Sequence, residues 1–279
     1  MTQPPDLSAV LTAQRAWATR RGLTVDDRGY LVDVRSNLRD ALSPDTEAAL
    51  RRGSGSELRD QPERAAKMRA LHSSSALAVN VFDFWSARDL DRVLEALCVE
   101  GWGTELSFEE KLPTGAGGTP PHVDVVIRLG DGRLVGVESK FTEWMAPKRD
   151  RAASLAPYVD DDASYWSRAG LHASDRLVRA MVAGEQEFQY LDVPQLLKHA
   201  LGLQRASNPG WCLRYVYFDA PIPARDTQRA EISRFEQAVG PELRFRAVTY
   251  QTLLTALGPA RDDAEAAYFG YLADRYFND

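Results

Sequence analysis

Only two cysteines occur in the 279 residues, Cys98 and Cys212, and they stand far apart. So sparse a set argues against a disulfide framework and favours a reducing compartment, which makes a cytoplasmic location the expectation. The four histidines, His72, His122, His172 and His199, have no zinc-ligand spacing with these cysteines. Long apolar runs are missing as well. Nothing approaches the ~18 unbroken apolar residues of a membrane span. The opening MTQPPDLSAV lacks the basic start and apolar core of a secretory signal, so a membrane is not an expected partner. There is no internal repeat, no low-complexity tract and no Gly-x-Ser-x-Gly elbow. The glycine-rich stretch 115–118 lacks the Gly-Lys-Ser/Thr ending of a phosphate-binding loop. A basic balance is absent too: 34 Lys and Arg face 40 Asp and Glu, a formal net charge of -6. That argues against tight non-specific binding to nucleic acid, where phosphate neutralisation supplies much of the affinity. It leaves room for a local site, because charge distribution matters more than the sum.

What is present is ordinary globular material, 44% hydrophobic and 27% charged, enough for one large domain or a domain with an added subdomain. Residues 1–70 read as a polar, helical N-terminal extension, with a flexible loop at Arg51-Arg52-Gly53-Ser54-Gly55-Ser56. Residues 71–279 form the main domain. Ser73-Ser74-Ser75 signals a helix start ahead of the apolar ALAVNVFDFW, and Ser86 to Asp89 caps a second helix that stops at Gly101-Trp102-Gly103. Strands are expected at 104–112, 122–129 and 133–141, then at 211–218 and 243–249. Helices are expected before 190, from Val193, at roughly 224–238, and as one long segment at the C-terminus. The order implies an α/β fold, a central mixed β-sheet flanked by helices.

The hairpin at 122–141 carries the chemistry. A three-residue loop Gly130–Gly132 pairs Leu129 with Arg133, with Gly132 in the left-handed position such loops require. Counting back, Val126 faces Gly136 and Asp124 faces Glu138, with Cβ atoms ~4.5–5.5 Å apart. Alternation puts Lys140 on the face of Glu138, while Val125, Ile127, Leu129, Val135 and Val137 make the other face wholly apolar. Gly136 between the acids suggests open space. A half-exposed cross-strand salt-bridge cluster is the plain reading of this trio. The alternative is a hydrolytic site: two carboxylates suit Mg²⁺, with Mn²⁺ as a substitute, and a lysine beside them can orient water or stabilise a crowded phosphate.

On the helix from Val193, Gln195, Lys198, His199 and Gly202 share one face. Asp192-Val193-Pro194-Gln195 also reads as a capping box, with Gln195 folded back on the helix start. His199 is a candidate phosphate contact, or else a solvated or core histidine. Trp144, Lys148 and Arg149 follow the last hairpin strand and either line a DNA groove or form a charged surface turn. Asn80, in the middle of an apolar helix, needs a hydrogen-bond partner, near the site or in the core.

Asp124, thirteen intervening residues, then Glu138-Ser139-Lys140 resembles the Asp…Glu-x-Lys signature of the PD-(D/E)XK nuclease superfamily. Residues 72–218 are similar to its restriction-endonuclease-like group; Pro121-His122-Val123-Asp124 departs from a literal Pro-Asp pair. The resemblance implies a restriction-endonuclease-like core and hydrolysis of phosphodiester bonds, with DNA as partner and a homodimer left open. It implies metal ligation by Asp124, Glu138 and the Ser139 carbonyl, and water positioning by Lys140. An upstream acid would complete the site, Glu109 first and Glu95 second, and Gln195 and Lys198 would stand beside metal and phosphate. Lys140→Ala should then abolish cutting with the fold intact. Two rivals remain: a nuclease fold that binds nucleic acid without cutting, and an acidic protein-interaction module.

Overall fold

A computed structural model describes residues 5–53, 56–116, 118–148, 152–159, 164–207 and 209–277. Two helices lie in the N-terminal segment, α1 (Pro5–Arg20) and α2 (Pro44–Arg52), followed by α3 (Ser74–Phe82) and α4 (Leu90–Ala96). Ser73 caps α3 by accepting from the Ala76 N–H at 3.2 Å, and Asp89 caps α4 from the Asp91 N–H at 3.1 Å. Strands β1 (Gly103–Lys111), β2 (His122–Leu129) and β3 (Leu134–Lys140) form an antiparallel meander. Then come α5 (Tyr165–Arg168), α6 (His172–Val182), α7 (Val193–Ala206), β4 (Trp211–Tyr217), α8 (Ala224–Leu243) and β5 (Arg246–Thr249). Strands β4 and β5 add to β3 in parallel, giving a five-stranded mixed sheet in the order β1-β2-β3-β4-β5. Parallel neighbours need crossovers, and α7 and α8 are the last helices of the two. The chain ends with α9 (Tyr250–Ala256) and α10 (Asp263–Leu272). These replace the single long helix expected: Gly258 is left-handed at φ +73°, and Pro259 after it cannot continue the hydrogen-bond ladder.

Both faces of the sheet are buried. Val125, Ile127, Leu129, Val135 and Val137 pack with α3, α4, α9 and α10, as the alternation requires. The opposite face carries Val126, Leu134, Leu213, Tyr215 and Tyr217 and is covered by α6, α7 and α8. Leu38, Ala49, Leu50 and Met68 from the N-terminal segment sit in the first of these cores. Asn80 is a satisfied core residue: it accepts from the Arg39 N–H and donates to the Asn37 carbonyl and the Tyr276 hydroxyl. It thereby ties three distant stretches of chain. Both cysteines are free, and no helix among the described residues is long and apolar enough to cross a membrane.

Candidate functional site

The hairpin has the register read from its loop. Val125 to Arg128 pair with Val137 to Leu134, the Leu129 N–H donates to the Arg133 carbonyl at 2.9 Å, and Gly132 has φ +87°. One step further this register sets Asp124 against Glu138. On the other side Phe108 pairs with Val125 and Glu110 with Val123, so Glu109 stands opposite Asp124. Three acids from three adjacent strands therefore form a row. Glu109 is left-handed at φ +50°, a conformation that costs a residue with a Cβ about 1–3 kcal/mol and concentrates at functional sites. The turn it makes reverses the side-chain alternation: Phe108 packs into one core, Leu112 into the other.

Depth differs along the row. Glu138 is 1% exposed, Asp124 is half-buried, and Glu109 is partly covered by the His122 ring, whose Nδ1 lies 3.2 Å from Glu109 Oε2. The end of α2 sits over this pair, and a groove of about 630 Å³ opens there between Arg52, Glu109 and Lys111. Asp124 Oδ2 accepts the Ser139 N–H at 2.7 Å, while the Ser139 hydroxyl points away to Tyr250 at 2.6 Å. Lys140 is ion-paired to Glu138 Oε1 and donates to Gln195 Oε1 at 3.1 Å. Burial first, then the Glu138 and Glu109 charges, push the Asp124 carboxyl well above its ordinary range, against Lys140 and the Ser139 N–H. For Glu138 burial also pushes upward, but Lys140 and His199 outweigh it and hold the carboxyl low. Lys140 is desolvated too, yet the charges of Glu138, Asp124 and Glu143 keep it firmly protonated. The two carboxyls are thus shifted in opposite directions, Asp124 upward and Glu138 downward.

The space beside Gly136 is not open, as the sequence suggested. A Cβ there would lie 2.6 Å from Leu203 Cδ1, so the glycine lets α7 lie close on the sheet. Gly202 does the same on the helix side, where a Cβ would meet the Leu112 carbonyl at 2.7 Å. This approach brings Gln195 to Lys140. Asp192 caps α7 by accepting the Gln195 N–H at 3.3 Å, but the Gln195 side chain goes to the site and does not fold back. Of the two readings of His199, phosphate contact or solvated or core histidine, the core one holds: it is 1% exposed with Nδ1 at 3.1 Å from Glu138 Oε2. Burial beneath the sheet leaves it no route to a phosphate.

The remaining candidates lie elsewhere. Lys198 donates to the Ser154 hydroxyl at 3.0 Å and stands over the Tyr158 ring. Lys148 is 3.2 Å from Asp192 Oδ2, locked to the start of α7 and not extended over a groove. Trp144 is fully buried and donates to the Phe218 carbonyl at 3.0 Å, which rules out base stacking. Arg149 lies outside the described residues. Glu95 is exposed on α4, whose packing face meets the opposite core, so Glu109 is the acid that joins the row. Tyr250 and His122 also contact the site; nothing in their spacing announced them, since each is placed by tertiary contact.

A divalent cation suits this constellation in one respect. Glu138 is buried and kept ionised by Lys140 and His199, so a carboxylate charge is already in place for an ion. Among the described residues no three His, Cys, Asp or Glu side chains converge closely enough to hold an ion alone. Mg²⁺, which keeps several waters and takes one or two carboxylates, does not need them to.

A family profile described as restriction endonuclease associating with ARP (REase-ARP) matches residues 11–277. The chain belongs to this restriction-endonuclease-like family, and its α/β architecture agrees with a core of that type. Neither curated proteins nor solved structures give a match.

Proposed function

We propose that this member of a restriction-endonuclease-like family is a metal-dependent nuclease of the PD-(D/E)XK kind that hydrolyses phosphodiester bonds in DNA. The observation that carries the reading is the buried Glu138, ion-paired to Lys140 on its own strand and set opposite Asp124 on the next. Asp124, Glu138 and the Ser139 carbonyl would hold Mg²⁺ or Mn²⁺, which supplies charge neutralisation and water activation when bound. Lys140 keeps its proton and, held by Gln195, stays placed to orient the attacking water and stabilise the negative charge that grows on the phosphate. Glu109 adds a third carboxylate on the groove side of the row. An ion would favour the charged form of Asp124, which burial and the neighbouring acids disfavour. The family description names ARP as an associate, and we extend that association to this chain.

Incubation of the purified protein with supercoiled plasmid tests the reading. Nicking or linearisation with Mg²⁺ or Mn²⁺, suppressed by chelation and lost in Glu138→Gln and Asp124→Asn, is the expected result. Undiminished cutting by both variants would sink the assignment, and co-purification with ARP is checked separately.

A further inference from the structure

The contact between Glu138 and His199 has no role in the steps above. Both side chains are 1% exposed, and His199 Nδ1 stands 3.1 Å from Glu138 Oε2. Among the described residues the ring has no other polar partner. An aliphatic side chain of similar volume would fill this part of the core without the cost of burying an imidazole. Two glycines, Gly136 and Gly202, let α7 approach closely enough to deliver the ring. The carboxylate is thus gripped from two sides, Oε1 by Lys140 and Oε2 by His199.

We propose that His199 is a positioning residue that pins Oε2 of Glu138 and leaves Oε1 as the oxygen offered to the divalent ion. The inference rests on the nuclease reading and deepens it. The two groups that hold Glu138 are not equivalent. Lys140 has a second acceptor, Gln195 Oε1 at 3.1 Å, and can release Oε1 without losing its place. His199 has no second polar partner among the described residues, and Glu138 is its single ion-pair contact. Lys140 would therefore yield Oε1 to an ion, whereas His199 would keep the carboxylate from rotating. Groups that orient a ligand in this way are worth about 10- to 100-fold in metal affinity.

Calorimetric titration of Mn²⁺ into the full chain, alongside thermal melting, separates positioning from packing. His199→Leu fills the core but has no donor; His199→Asn is smaller but keeps an amide N–H near the Nδ1 position. The expected result is a 10- to 100-fold loss of affinity in His199→Leu, with affinity kept within a few-fold in His199→Asn although that variant melts lower. A packing role predicts the reverse order, and wild-type affinity in His199→Leu overturns the proposal. If His199→Leu does not fold, His199→Gln replaces it. Its amide lies near the Nε2 position, away from Oε2, and affinity equal to that of the Asn variant overturns the proposal. No binding by the wild-type chain is a separate outcome, which removes the nuclease reading and this inference together.

Discussion

Replacing Gly136 by alanine tests whether the close seating of α7 is what assembles the site. A Cβ at 136 would lie 2.6 Å from Leu203 Cδ1 and 3.2 Å from Cδ2. Ordinary carbon contacts are about 3.5–4.0 Å, so the two must separate by roughly 1 Å. Leu203 is fully buried, so either its side chain repacks within the core or the helix shifts. Overpacking of this kind costs about 1–3 kcal/mol. The backbone at 136 is not left-handed, so restricting the unfolded chain returns about 0.4–1 kcal/mol. Leu203→Ala alone should cost about 2–5 kcal/mol through its cavity. In the double variant the new methyl occupies space the leucine left, so Gly136→Ala should cost nothing further there. The double-mutant cycle, measured by urea unfolding, should then show about 1–2 kcal/mol of favourable coupling, within the range for residues in contact. Additivity within about 0.5 kcal/mol would refute the reasoning. Because α7 carries Gln195 and His199, Gly136→Ala should also weaken Mn²⁺ binding, and Leu203→Ala should restore part of it.

Lys140→Ala, expected from sequence to spare the fold, should instead destabilise it by about 3–5 kcal/mol, because the buried Glu138 loses its ammonium partner and keeps His199 alone; Glu138→Gln in the same chain should recover much of the loss, and a wild-type unfolding midpoint for Lys140→Ala would contradict the burial argument. Asp124→Asn should abolish ion binding yet stabilise the ion-free fold by about 0.5–2 kcal/mol, as removal of a strained site group does. The sign follows from the raised carboxyl pKa: its contribution is full below the ordinary 3.8 and is lost as pH rises through the folded value, so at neutral pH the ionised group is a liability. A lower melting temperature for Asp124→Asn would refute this. Ion affinity should fall as pH drops through the raised Asp124 range, with proton release on binding visible by calorimetry in two buffers of different ionisation enthalpy; absence of release would show that Asp124 is already ionised.

The hairpin was legible because its determinants are local. A glycine at the left-handed loop position sets the register, the register sets which residues oppose, and strict alternation assigns each side chain to a face. Asp124, Glu138 and Lys140 follow from three short-range rules. The choice of Glu109 over Glu95 needed the next strand's register and the packing side of α4, neither of which is a local property. The capping ambiguity at Gln195 had the same character. Asp192 satisfies the helix start whatever the amide does, so only the arrival of Lys140 could decide where that amide points. The alternatives left open for His199, Trp144 and Lys148 needed the tertiary structure too: His199 and Trp144 are core residues, and Lys148 is drawn to Asp192 at the start of α7. Periodicity and turn chemistry in the sequence by themselves determined the strand order of the meander, the apolar face and the acid–acid–lysine trio. The seating of α7 on Gly136, the contact of His199 with the buried Glu138 and the opposite pKa shifts of two neighbouring carboxyls were decided by tertiary structure alone, because each depends on what is packed against the sheet from a distant part of the chain.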